Sequence, residues 1–289
     1  MATRDEWVSG ARPRTLPAAV APVLVGTGAA AQLGAASVGR AVLAGVVALA
    51  LQVGVNYAND YSDGVRGTDV DRVGPMRLTA SAAARPGQVK LAAFAAFGVA
   101  ALAGLALVAV SGHWWLIAVG AAAILAAWYY TGGRRPYGYS GLGEVGVFVF
   151  FGLVATLGTT YTQAGRLSWP AWAGAIGTGL LACALLMANN LRDIPTDVVY
   201  GKRTLAVRLG DHRARVAYQW FVTLPIFLGV SCAPIAPWSL LVLLLLAAVA
   251  ILVVMVRAGA TGIALVPVLV GTGMLQLGYG VLLGLGLAL

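Results

Sequence analysis

Residues 40–63 read RAVLAGVVALALQVGVNYANDYSD. From Ala41 to Val55 the only polar side chain is Gln52, and then Asn56, Asn59, Asp60 and Asp63 arrive together. The run has no strict period-2 alternation, so it reads as a helix rather than a barrel strand. With its polar end it is long enough for the roughly 20 residues that cross a hydrocarbon core. Offsets of i, i+3, i+4 and i+7 place the two amides and two carboxylates on one helical face.

The rest of the chain repeats the apolar part of this pattern. Of its 289 residues 60% are hydrophobic and 10% charged, where a soluble domain carries about 25% charged residues. The expected fold class is therefore all-α: a polytopic membrane protein of about nine transmembrane helices, forming one domain over residues 1–289. The spans fall near 15–35, 40–59, 89–110, 114–131, 143–163, 170–191, 216–232, 238–256 and 262–287. Two long polar connections remain, near 60–88 and 192–215. Trp7 with Arg4, Arg12 and Arg14 reads as an interfacial lead-in rather than a cleavable signal, since Asp5, Glu6, Pro13 and Pro17 interrupt it. Cys183 and Cys232 lie far apart with no histidine cluster, which argues against a disulfide or a soft-metal site. The glycines of 278–286 are expected to serve close helix packing.

Charge bias orients these spans. With the N-terminus inside, 17 of the 19 basic residues fall in inner segments, and only Arg40 and Arg166 fall outside. The positive-inside rule thus predicts a multi-pass protein of the cell inner (plasma) membrane. Its N-terminus and both long loops are cytoplasmic and its C-terminus lies outside. The net charge of +9 belongs to membrane-edge loops facing anionic headgroups, so the lipid bilayer is the expected partner and nucleic acid is not.

Six of the ten acids cluster after the second and sixth spans: Asp60, Asp63, Asp69, Asp71, Asp193 and Asp197. In NNLRDIPTD (189–197), Asn189, Asp193 and Asp197 are spaced i, i+4 and i+8, with Asn190 beside them and Pro195 expected to disturb the helix. Each carboxylate at bilayer depth costs roughly 2.5–3.5 kcal/mol, so something cationic should compensate two such faces. Hard oxygen donors on two faces suit Mg²⁺, which binds through one or two carboxylates plus substrate phosphates. Arg77, Lys202 and Arg203 follow the acidic segments and are placed to neutralise a diphosphate's outer oxygens. The simpler reading stays open at this stage: solvated loop acids salt-bridged to arginines that serve only the positive-inside rule.

The motif NDxxD at Asn59–Asp63, with a second Asp-rich segment after the sixth span, resembles the UbiA superfamily of intramembrane prenyltransferases. Finer pieces are similar to its 1,4-dihydroxy-2-naphthoate polyprenyltransferase branch, which serves menaquinone synthesis. These pieces are ARPRTLP (11–17), NYANDYSD (56–63), GTD (67–69), RVGPMRL (72–78), YTGGRRPYGY (130–139), GLGE (141–144), NNLRD (189–193) and GKRTLAVRLG (201–210). The general pattern has an Asp where Gly67 stands, so Asp69 would have to serve.

The resemblance implies transfer of a polyprenyl chain from polyprenyl diphosphate to 1,4-dihydroxy-2-naphthoate, with decarboxylation to a demethylmenaquinol and with Mg²⁺ as cofactor. Metal ligands would be Asp60, Asp63, Asp69, Asp193 and Asp197. Substrate contacts would come from Asn56, Asn59, Arg77, Asn189, Asn190, Lys202, Arg203, Tyr130 and Tyr139. Glu144 would orient a ring hydroxyl, act as base, or only pair with Arg134 or Arg135. The alternatives are the same chemistry on another acceptor such as 4-hydroxybenzoate, and a membrane transporter. The transporter reading is disfavoured because the acids sit at helix ends on one side.

Overall fold

A computed structural model describes residues 2–68 and 76–289. Ten helices make up the described chain. A short α1 (Arg4–Gly10) precedes α2 (Pro17–Gln32), α3 (Val38–Arg66), α4 (Pro86–Ser111), α5 (Leu116–Tyr129) and α6 (Gly143–Ala164). Then come α7 (Trp169–Val199), α8 (Leu205–Val230), α9 (Pro237–Arg257) and α10 (Gly262–Ala288). Prolines stand in the first turns of α2, α4, α7 and α9, where the missing N–H costs no helical bond.

Among the described residues six helices are long and apolar enough to cross a membrane, or seven if α1 and α2, bent by 48°, form one broken span. The remaining two expected spans are helical as well. The first, α5, has only 14 residues. The second, α8, opens with Arg208, Asp211, Arg213 and Arg215 and is broken at Gly210, whose φ of 75° is outside the helical region.

The polar connections are shorter than the sequence suggested. Helix α3 runs on to Arg66, and α7 continues through Pro195 to Val199. The acidic faces therefore belong to helices rather than to loops. Physically, their side chains find polar partners inside the bundle, so the backbone need not leave the helix to hydrate them.

Two large packed units, with a smaller one of Val23, Ala44 and Leu107, hold the bundle. Tyr218, Leu181, Tyr279 and Leu283 centre one, formed largely by α7, α8 and α10, and Tyr57, Leu78, Val89 and Phe97 centre the other, around α3 and α4. Close approach of α10 to α2 depends on glycine, as the sequence suggested. A Cβ on Gly280 would lie 2.6 Å from the Ala21 backbone, and one on Gly284 would lie 2.8 Å from the Leu24 carbonyl. Both cysteines are buried and free. At the end of the bundle away from the acids, Arg40 donates to the carbonyls of Thr162, Gln163 and Val110, and Arg166 to that of Leu33. These two arginines thus cap helix C-termini, where the backbone dipole favours cations.

Candidate active site

The polar face of α3 and that of α7 open into one cavity of about 1420 Å³. Asn56, Asn59 and Asp63 line it from α3, and Asn189, Asn190, Asp193 and Asp197 from α7. Arg77, Lys202, Tyr130 and Tyr139 also line it. The structure thereby brings together eleven of the residues that the sequence assigned to the site.

Asp63 is the hub. Its Oδ1 accepts the Tyr139 hydroxyl at 2.5 Å, while Oδ2 lies 3.7 Å from the Arg77 guanidinium and 3.9 Å from Lys202 Nζ. Lys202 also sits 4.7 Å above the centre of the Tyr139 ring, a cation–π contact. Burial first, and then the charge and hydrogen bond of Asp63, push the Tyr139 hydroxyl well above the ordinary tyrosine range, so it stays a donor. Arg66 ties this loop down, donating to the carbonyls of Thr131 and Gly133 and stacking over Tyr139. Across the cavity, Asp193 takes both arms of Arg192 at 2.7 and 2.8 Å, and Arg192 also reaches Asn189 Oδ1. Thr204 stands 3.5 Å from Asp197.

Three expected site residues do not line the cavity. Asp60, 1% exposed, accepts the backbone N–H groups of Leu78 and Thr79, each at 2.8 Å, one on each carboxylate oxygen. It therefore faces the segment that carries Arg77 instead of the cavity. The Arg203 side chain is exposed, although its backbone N–H holds the Tyr139 carbonyl. Glu144, 4% exposed, lies behind the wall. Its Oε1 accepts Asn190 Nδ2 at 3.0 Å and its Oε2 has no hydrogen-bond partner among the described residues. That contact, rather than one to Arg134 or Arg135, is where Glu144 is engaged. Asp69 lies outside the described residues, as does Asp71.

The donor set fits magnesium: carboxylates of Asp63, Asp193 and Asp197 with amide oxygens of Asn59 and Asn189, all hard oxygens. Among the described residues no three acids converge tightly enough to hold a metal alone. Asp63 is compensated by Arg77 and Lys202, and Asp193 by Arg192.

Residues 19–261 match the family model described as the UbiA prenyltransferase family. The chain belongs to the UbiA prenyltransferase family. It is 54% identical over 96% of its length, and 94% of the relative's, to the 1,4-dihydroxy-2-naphthoate octaprenyltransferase of Mycobacterium tuberculosis. Identity to the Escherichia coli enzyme of the same name is 43%, over 72% of this chain and 70% of the other. Among solved structures, a UbiA homologue from Archaeoglobus fulgidus bound to GPP and Mg²⁺ superposes with a TM-score of 0.69 at 15% identity, covering 95% of this chain and 98% of that one. The UbiA fold is thus shared at low identity.

The structure adds site residues that the sequence did not single out. Arg12, Arg14 and Thr15 of the bend between α1 and α2 line the cavity, as do Arg192 and Thr204. Asn56 fixes the bend, donating to the Ala11 carbonyl at 2.8 Å and to Thr15 at 3.0 Å. Arg12 occupies the left-handed region at φ 54°, an unfavourable conformation for arginine that tends to persist at functional sites. The available signal was ARPRT itself: two cations around a proline just before a membrane span.

Proposed function

We propose that this protein transfers a polyprenyl group from polyprenyl diphosphate to 1,4-dihydroxy-2-naphthoate, releasing diphosphate and carbon dioxide and forming a demethylmenaquinol. The observation that carries the reading is a single cavity whose acid–amide mouth, flanked by Arg77 and Lys202, continues into a long apolar channel. A diphosphate head and a hydrocarbon tail need those two environments side by side. The acceptor is the one for which the mycobacterial and E. coli relatives are named.

In this reading Asp63, Asp193 and Asp197, with Asn59 and Asn189, would hold magnesium. The ion supplies positive charge that offsets the diphosphate and eases its departure. Arg77 and Lys202 face the same oxygens and stabilise the charge that develops as the prenyl C–O bond breaks, its electron pair going to the diphosphate. Tyr139 holds Asp63 by its hydroxyl and Lys202 by its ring, which keeps both in place. A ring carbon of the naphthoate forms the new C–C bond. Overall, the ring exchanges its carboxylate for the prenyl group. Helices α3 and α7 present the site to the cytoplasm, the orientation that the charge bias implies.

Glu144 acts here as a positioning residue. By accepting Asn190 Nδ2 it fixes the amide of Asn190, a residue of the cavity wall. Glu144→Leu removes that acceptor and is expected to lower turnover roughly 10–100-fold, as losses of such supporting contacts do. Glu144→Gln keeps an acceptor oxygen and should restore most of the rate. Steady-state kinetics decide the role, because a general base would be lost equally in both variants.

The reading as a whole is tested by turnover with polyprenyl diphosphate and Mg²⁺, offering the naphthoate and 4-hydroxybenzoate in parallel. Product from the naphthoate that vanishes with EDTA is expected. Product from 4-hydroxybenzoate alone would keep the site and change the acceptor.

A further inference from the structure

The cavity does not end at the acids. Along α3 its wall runs from Asp63 back to Ala44, about 28 Å at 1.5 Å per residue. That is nearly the roughly 30 Å thickness of a hydrocarbon core. Its deep part is walled by α4, α5 and α6, among them Gly104, Gly120 and Gly158. Gly120 lies ten residues along α5 from Tyr130, about 15 Å from the polar mouth, and Gly158 lies on α6 fourteen residues beyond Glu144.

These glycines differ from those that let helices touch. A Cβ on Gly152 would lie 2.5 Å from the Gly179 backbone, and one on Gly280 would strike Ala21. A Cβ on Gly120 or Gly158 meets nothing within 4 Å, and one on Gly104 only Val47 at 3.8 Å. Glycine in a helix interior costs about 1 kcal/mol relative to alanine. At Gly120 and Gly158 no close backbone approach offsets that cost, and neither has a positive φ. What the missing side chains leave is width in the deep cavity.

We propose that Gly120 and Gly158 determine the length of prenyl chain this protein accepts, by keeping the deep half of the cavity open to the tail of a long polyprenyl diphosphate. The proposal rests on the prenyl-transfer reading. A short chain occupies only the part near the acids, whereas a long one must pass both glycines. A side chain grown at either position narrows the path without touching Asp63, Asp193 or their partners.

The test compares octaprenyl with geranyl diphosphate as donors to 1,4-dihydroxy-2-naphthoate, for wild type and for Ala, Leu and Phe at position 158 and Leu at position 120. The ratio of octaprenyl to geranyl turnover is expected to fall stepwise with side-chain size, at least tenfold for Gly158→Phe and Gly120→Leu. Gly98→Phe is the control: Gly98 is an exposed α4 glycine outside the cavity wall with open space at its Cβ, so the ratio should stay at the wild-type value. An unchanged ratio across the 158 series and at 120 overturns the proposal, because the tail then leaves the bundle before reaching that depth. Failure of the wild type to transfer either donor would instead strike the underlying reading, so the two failures are distinguishable.

Discussion

Replacing Asp63 by Asn lowers turnover about a thousandfold, the scale seen when a preorganised group at the reacting charge is removed. Asn keeps the shape and an oxygen for the Tyr139 hydroxyl. It removes the negative charge that faces Arg77 at 3.7 Å, Lys202 at 3.9 Å and the proposed metal. Arg77 is then buried and Lys202 half-buried without that counter-charge, and breaking a buried pair costs about 3–5 kcal/mol when the partner is simply deleted. Asp63→Ala should therefore lose stability as well as rate, while Asp63→Asn separates the two. Thermal unfolding in detergent beside turnover reads both quantities. A Asp63→Asn enzyme with near wild-type turnover would remove Asp63 from the site.

Asp60→Ala should act in the opposite order, on stability first. Its carboxylate accepts two backbone N–H groups, the buried one of Leu78 and the half-buried one of Thr79. Hydrogen bonds to a charged group contribute about 1.5–3 kcal/mol each, so the expected loss is about 3–6 kcal/mol. Leu78 is fully buried in the α3–α4 core, and freeing its segment also displaces the adjacent Arg77 from Asp63. Turnover then falls through Arg77, with the apparent affinity for Mg²⁺ little changed in the fraction that folds. Were Asp60 a metal ligand, the Mg²⁺ dependence would shift strongly while the unfolding temperature stayed put. Titrating Mg²⁺ against rate, alongside thermal melts, separates these outcomes.

The contrast between Asp60 and Asp63 marks how far the sequence could be read. Helical spacing alone put Asn56, Asn59 and Asp63 on one stripe and Asn189, Asp193 and Asp197 on another, and both stripes line the cavity. At about 100° per residue, Asn56, Asn59 and Asp63 span about 60° of arc, and Asp60 lies about 40° past the edge. That offset suffices to turn Asp60 onto the 78–79 backbone. No local pattern reveals it, because the partner segment lies eighteen residues on and is placed by tertiary packing. Charge density likewise hid the helical ends of α3 and α7, where polar residues read as loop although their partners lie inside the bundle. Arg12 was visible only as one more cation ahead of a span, and its position on the cavity wall depends on the bend held by Asn56. Hydrophobic runs, by contrast, report helices directly, and each expected span has a helix in the described chain.

The most direct test of the central claim uses 1,4-dihydroxy-2-naphthoate labelled at its carboxyl carbon, with polyprenyl diphosphate, Mg²⁺ and purified protein. Labelled carbon dioxide, diphosphate and unlabelled prenylated naphthalenediol are expected in equal amounts, all abolished by EDTA. Diphosphate released without any prenylated ring, or a prenylated product that keeps the label, would contradict that claim.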